Sequence, residues 1–325
     1  MPRRRIFLAR PRLDCSFKRG PVPAVEGPPT SSLRVRFGRF LDRLEAYHRE
    51  SGDVLEVETR PLWQFELEAM QKKARQNDRL YFPHKLRSQF PIGDNALYYK
   101  KAPLDEYTVD PAGWGASLSF LPPPLVFSAE AEELFVRLRG RIARNESGFD
   151  QPAPGSRPVA GPYSLFVCQV PHDETIQFHS TVTVAQALTA VIAYCERRGV
   201  TLVVKGHPAN PEAMQPLRAL TDASRAARWV RDVSIHTCLA GADRVYLVNS
   251  GVGFEALLHD KTVIRFGHAE YDCVTPMSAP DVNSLIALEA HRHSREDNAA
   301  FLHGYLRHCI QSDDPASYAA ALEAF

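Results

Sequence analysis

Between Leu165 and Tyr271, three short apolar runs are each followed at once by a polar, glycine-bearing or proline-bearing segment. Leu165-Phe-Val167 leads into Gln169-Val-Pro-His-Asp173, Leu202-Val-Val204 into Lys205-Gly-His-Pro208, and Val245-Tyr-Leu-Val248 into Asn249-Ser-Gly-Val-Gly-Phe-Glu255. Such runs read as strands buried on both faces. Between the first two, Val184, Leu188, Val191, Ile192 and Cys195 recur at helical spacing and Gly199 ends the helix. Pro211 suits the first turn of a further helix, from about Glu212 to Leu220, and Val263-Ile-Arg-Phe266 supplies one more strand. Alternation of this kind implies right-handed crossovers and a parallel sheet. Ligands of open parallel sheets bind outside the carboxyl ends of the strands, so the three polar segments are expected to share one crevice suited to a phosphate-bearing donor.

The first half opens as strand, helix, strand: Ile6 to Ala9, a helical stripe of Phe37, Phe40, Leu41, Leu44 and Tyr47, then Val54 to Val57. The Pro and Gly cluster from Gly20 to Pro29 delays that helix and receives no structure. Trp63, Leu67 and Met70 suggest another helix, and Arg79 to Phe82 a further strand. From there to Pro124 periodicity is poor. Tyr98, Tyr99 and Trp114 in that region suit stacking on sugar rings, or else simply cover the first core. Glu133, Leu134, Leu138 and Ile142 mark an amphipathic helix, and Gly148 to Pro162 reads as a linker. With 325 residues, above the roughly 250–300 at which single cores stop growing, two domains are expected: 1–150 and 151–325.

Thirty-nine basic against 38 acidic side chains leave a net charge of +1, which does not advertise a nucleic-acid partner. No window approaches the ~18 apolar residues of a membrane span, and the start Met1 to Ala9 is too short for a secretory core. A cytoplasmic protein is expected, with the early arginines either solvated or touching an anionic leaflet. Cys15, Cys168, Cys195, Cys238, Cys273 and Cys309 show no Cys-x-x-Cys spacing and read as reduced core residues. His291, His293, His303 and His308 lack acidic or thiol partners at ligand spacing, so no metal is expected.

Asn249-Ser250 closes a strand, and Gly251 and Gly253 give room for the turn into a helix beginning at Phe254. Free amides and the positive helix end make that turn an anion site, although Ser250 also suits plain capping. Glu255 either favours the first helical turn or accepts from ribose hydroxyls. Lys205 and His207 can both donate to phosphate, with Pro208 fixing the turn that presents them. Asp173 either caps the following turn through Thr175 or acts on an electron-poor anomeric carbon beside the anion site.

Taken together, Gln169-Val-x-x-Asp173 with Thr175-Ile176, Lys205-x-His-Pro208, Asn249-Ser250 with Gly253-Phe-Glu-Ala-Leu257, and Phe266-Gly267 leading to Tyr271 resemble the bacterial capsule-biosynthesis family of retaining β-Kdo transferases. That family includes enzymes that end O-antigen chains of lipopolysaccharide with Kdo. The resemblance spans roughly Ser164 to Thr275 and implies an α/β, GT-B-like fold with two Rossmann-like domains whose parallel sheets face a central cleft. It implies an acceptor domain first and a donor domain second, with CMP-β-Kdo as donor substrate and no cofactor. His207 and Pro208 then look like the element that holds the CMP phosphate, Ser250 like the serine at the helix start, and Asp173 like the nucleophile. Gln169, Lys205, Gly251, Gly253, Phe254 and Glu255 complete the expected donor site. After Tyr271 this chain continues Asp272-Cys-Val-Thr-Pro276 where the family tends to a Gly-rich or Trp-containing turn.

A group that takes the acceptor proton is expected in the first domain, where Glu106 is chosen over His84, Asp94, Asp105 and Asp110. The expected partners are a CMP-sugar and a lipid-linked O-antigen or capsule glycan, with other assembly enzymes beside it and a peripheral place at the inner membrane. Two alternatives stand: another CMP-sugar transferase, such as a sialyltransferase-like enzyme, and a non-catalytic nucleotide-sugar-binding assembly module.

Overall fold

The computed structural model describes residues 4–14, 32–89, 93–208, 210–323 and 325. The expectations placed on Met1 to Arg3, Cys15 and Gly20 to Pro29 lie outside these residues. The chain divides into two compact units, one of residues 1–121 and 306–325, the other of residues 122–305.

The first unit is a five-stranded sheet in the order β2-β1-β3-β4-β5. Its strands are β1 (Arg5–Pro11), β2 (Val54–Arg60), β3 (Arg79–Pro83), β4 (Ala96–Lys101) and β5 (Tyr107–Asp110). Only β5 runs antiparallel to its neighbour. Helix α1 (Ser32–Glu50) makes the first crossover and α2 (Leu67–Lys73) the second. The expected stripe Phe37, Phe40, Leu41 and Leu44 is buried, and Phe40 stacks on Tyr107 with ring centroids 4.2 Å apart and planes within 4°. The last helix, α11 (Pro315–Leu322), packs Tyr318 and Leu322 into the same core.

Two expectations fail in the region read as irregular. It contains β4 and β5, which escape a period-two search because β4 is covered on both faces. Leu97 and Tyr99 enter the core beneath α1, while Ala96 and Tyr98 enter a second core with Phe65, Leu67 and Met70. The aromatics are therefore not sugar platforms. Tyr98 and Tyr99 are fully buried, Tyr99 donates to Ala9 O, and Trp114 lies in the interior beneath the Lys100 ammonium, 3.2 Å from its ring centroid.

The second unit carries a fully parallel sheet in the order β10-β9-β6-β7-β8. Its strands are β6 (Tyr163–Val167), β7 (Leu202–Lys205), β8 (Ala227–Val230), β9 (Ala242–Leu247) and β10 (Thr262–Arg265). Helix α5 (Val184–Arg198) packs Leu188, Val191 and Cys195 on the sheet, starts with a Thr183/Gln186 capping box and ends at left-handed Gly199. Helix α6 (Gln215–Asp222) follows Pro211, as read from the sequence. The strand β8 and helix α7 (Ile235–Gly241) do not stand out in the sequence, because β8 is an edge strand of four residues that buries only Ala227 fully. Among the described residues, no helix is long and apolar enough to cross a membrane.

The structure puts the division at Leu121/Pro122 instead of residue 150. Helix α3 (Ala129–Ala143) belongs with the second sheet, tied by Arg139–Asp260 and Glu132–Arg295 ion pairs at 2.7 and 2.6 Å. The end of the chain returns to the first unit, where Ile310 bridges Tyr107. Removing a stacked core ring leaves a cavity costing about 3–5 kcal/mol. Phe40→Ala is therefore expected to destabilise the first unit by that amount, read from its urea unfolding curve followed through tyrosine and tryptophan emission.

Candidate functional site

The second sheet reverses its strand order at β6, which has β9 on one side and β7 on the other. This is the switch point where an open α/β sheet leaves a crevice for a ligand. Gln169 follows β6 and Asn249 follows β9, and the two are bonded twice. The Asn249 amide N–H donates to Gln169 Oε1 at 3.0 Å, and Gln169 Nε2 donates back to Asn249 Oδ1 at 3.0 Å. Asn249 Nδ2 then donates to Thr175 O at 2.9 Å. A backbone donor at one end of this chain and a backbone acceptor at the other fix both amide orientations. Both side chains are buried, so each of these bonds replaces water that cannot reach them.

Asp173 sits at the N-cap of α4 (Glu174–His179), where Oδ1 accepts from the Thr175 amide at 2.8 Å. The capping reading of this carboxylate thus holds for one of its oxygens. Because Thr175 O is bonded to Asn249, the cap lies one residue from the switch-point network. The residues Gln169, Asp173, Thr175 and Asn249 are therefore brought together around the ends of β6 and β9.

The turn into α8 (Val252–Leu258) differs from the free-amide site expected of it. Ser250 Oγ accepts from Val252 N at 3.3 Å, Gly253 N donates to Ser250 O and Phe254 N donates to Gly251 O. Three of the amides are thus spent inside a tight first turn. Gly251 has an ordinary helical φ of −55°. Gly253 is required for a different reason: a Cβ there would meet Tyr271 Cζ at 2.2 Å, and Tyr271 Oη donates to Ser250 O at 2.7 Å. Phe254 is buried against the Tyr271 ring, so it builds the core and not the crevice.

Lys205 also departs from expectation. Burial pushes its pKa down, and its ammonium donates to Arg231 O at 2.6 Å and Gly206 O at 3.3 Å, bracing the β7 and β8 loops. His207 remains at the rim and meets the edge of Phe149 at a centroid distance of 4.9 Å; Pro208 is exposed. Beside His207 a small groove of about 50 Å³, open to solvent, is lined by Pro211, Met214, Gln215, Arg218, Trp229 and Arg231. The half-buried Trp229 lies so close to Gly206 that a Cβ there would come within 2.4 Å of the indole. Trp229, Arg218 and Arg231 went unnoticed in the sequence because α6 and β8 carry no polar motif.

Glu255 is buried, at 5% exposure, and burial raises its pKa against the opposing effects of Ser147, His236, the Gly148 amide and Arg141. Its Oε2 is buried with no hydrogen-bond partner. Nearby, His236 Nε2 meets the Glu146 carbonyl at 2.7 Å, and that carbonyl can only accept. His236 therefore carries a proton on Nε2, and its Nδ1 lies 3.1 Å from His259 Nε2. Burial, with His236, Lys261 and Arg139, lowers the His259 pKa to about 3.

Glu106 belongs to the other unit, at the carboxyl end of β4, where its carbonyl accepts from Ala102 N at 2.8 Å. Asp105 pairs with Lys101 at 2.8 Å and Arg36 at 3.2 Å, and Asp110 accepts from Ala112 N at 2.7 Å and from Ser119 N and Oγ at 3.0 and 2.7 Å. Asp94 pairs with Arg87, and His84 ends β3 with a left-handed φ of 53°. Among the described residues no group of three or more His, Cys, Asp or Glu is placed to hold a metal ion.

Residues 136–307 match the family model described as capsule polysaccharide biosynthesis protein. The chain belongs to this capsule polysaccharide biosynthesis family. Among solved structures it is similar to "Thermosulfurimonas dismutans KpsC, beta Kdo 2,7 transferase", with a TM-score of 0.56 and 15% identity over 99% of this chain and 100% of that one. It is also similar to "Thermosulfurimonas dismutans KpsC, beta Kdo 2,4 transferase", with a TM-score of 0.53 and 16% identity over 80% and 85% of the two chains. The fold class is thus α/β and GT-B-like, with two Rossmann-like units. No curated protein matches the chain in sequence.

Two measurements check this geometry. Gly253→Ala forces Tyr271 aside and is expected to cost about 1–3 kcal/mol, read from urea midpoints; in a Tyr271→Ala background the same change is expected to cost less. The second concerns acid. The unfolded His259 takes its proton near 6.5 and the folded one only near 3, so stability is expected to fall as pH drops from about 6.5 toward 3. Thermal midpoints across that window are expected to slope less in His259→Gln.

Proposed function

We propose that this chain transfers Kdo from CMP-β-Kdo to a growing surface polysaccharide, with retention at the anomeric carbon. The observation that carries this reading is the junction of Gln169, Asn249 and the Asp173 cap at the switch point of the second sheet, in a chain of the capsule family. Support for the sugar comes from the similar structures named beta Kdo transferases.

In this reading the second unit takes the donor. His207, with Pro208 shaping its turn, and Ser250 hold the CMP phosphate, while buried Glu255 accepts from ribose hydroxyls through Oε2. Gln169 keeps the β6 and β9 loops at fixed separation. Lys205 acts at one remove, by holding the Arg231 and Gly206 carbonyls. Gly251 and Gly253 shape the turn, and Phe254 secures its helix.

Asp173 Oδ2 attacks the anomeric carbon as the bond to the CMP phosphate oxygen breaks, and CMP leaves with the electron pair. An acceptor hydroxyl then forms the new glycosidic bond as the bond to Oδ2 breaks, restoring the carboxylate. The hydroxyl proton passes to a base in the first unit, for which Glu106 is our assignment. In this reading His207 and Ser250 donate to the phosphate without a metal, so transfer is expected to persist in excess chelator. The acceptor is a lipid-linked capsule or O-antigen precursor met at the cytoplasmic face of the inner membrane.

Intact-protein mass after incubation with a CMP-Kdo generating system tests the chemistry. A Kdo-sized adduct is expected on wild type and is expected to vanish in Asp173→Asn, whose side-chain oxygen still caps α4. Wild-type transfer rates in both Asp173→Asn and Asp173→Ala would remove Asp173 from the reaction and favour an inverting CMP-sugar transferase. CMP bound without turnover would favour an assembly module.

A further inference from the structure

The stretch from Gly148 onward reads in sequence as a linker, yet residues 145–151 are fastened to the second unit at both ends. Asn145 adopts a left-handed φ of 56°, its Oδ1 accepts from Ser234 Oγ, and its Nδ2 donates to Pro152 O at 2.8 Å. Gln151 Oε1 accepts from Ile235 N at 2.8 Å, and its Nε2 donates to Phe149 O at 2.9 Å. The segment therefore leaves and returns at the start of α7 as a closed loop. Its tip touches two different strand ends. Ser147 and Gly148 lie beside the Glu255 carboxylate, which follows β9, and oppose the rise that burial gives its pKa, while Phe149 sets its ring against His207, which follows β7. These two strands flank β6, where the order of the sheet reverses.

A phenyl group left 43% exposed has no core to fill, and the buried Glu255 carboxylate has the turn of Ser147 and Gly148 beside it. We propose that the 145–151 loop is a wall of the donor site, in which Phe149 positions His207 and Ser147 positions Glu255 for a nucleoside monophosphate; this rests on the donor reading above. Phe149 is a positioning residue. The edge-to-face contact keeps the imidazole aimed at the crevice before the ligand arrives, so its loss appears as weaker binding of the nucleotide.

Calorimetric titration of the full chain with CMP tests this. Phe149→Ala is expected to weaken CMP binding roughly 2- to 10-fold, the factor one ring contact supplies, while Phe149→Tyr binds like wild type. In a His207→Ala background the Phe149→Ala change is expected to cost nothing further, which a general loss of packing would not reproduce. Ser147→Ala, a smaller change that leaves the ring in place, is expected to weaken binding through Glu255. Phe149→Ala that binds as wild type, or that costs as much without His207 as with it, overturns the wall. Wild type that binds no CMP overturns the donor reading and the wall together, so the two failures are told apart.

Discussion

The doubly bonded pair of Gln169 and Asn249 holds the donor unit's crevice in shape. Strands β6 and β9 are neighbours in the sheet but lie far apart in sequence, and beyond their last ladder bonds nothing in the sheet fixes the two loops. One side-chain amide closes that gap by satisfying a backbone N–H and a side-chain oxygen together. Since Asn249 then carries the Thr175 carbonyl, the start of α4 and with it Asp173 take their place from the same pair. An apolar side chain at either position would leave buried polar groups without partners, at a cost of about 1–3 kcal/mol each.

From this junction the rest of the site follows by packing. Tyr271 reaches under Gly253 to the Ser250 carbonyl and sets the height of the α8 turn. Lys205 is sunk among carbonyls and braces the β7 and β8 loops, which leaves His207 and the groove by Trp229 as the accessible polar rim. The loop of residues 145–151 then adds the side of the crevice that no strand end supplies. The buried pair of His236 and His259 anchors that loop through the Glu146 carbonyl, and the lowered pKa of His259 ties the arrangement to pH.

Much of this was legible in the sequence where pattern and physics coincide. The strands β6, β7, β9 and β10, the helix on Leu188 and Val191 and its Gly199 stop all follow from apolar runs and caps. The polar segments do lie at the carboxyl ends of those strands. The misread parts share a cause, since each depends on contacts distant in sequence. Tyr98, Tyr99 and Trp114 look like exposed recognition residues until both faces of β4 are seen to be covered. Lys205 looks like a phosphate ligand until the Arg231 carbonyl is found on its ammonium. The stretch read as a linker begins at Gly148, and only the contacts of Asn145, Phe149 and Gln151 with Ser234, His207 and Ile235 reveal a fixed loop there.

A crystal structure of the full chain with CMP is the most direct test of the claim that the switch point of the second unit is the donor site. The account predicts CMP lying across the loops that follow β6, β7 and β9, its phosphate within hydrogen-bond reach of His207 and a ribose hydroxyl on Glu255. Nucleotide bound only in the first unit, or at the second unit away from Gln169 and Asn249, would contradict it.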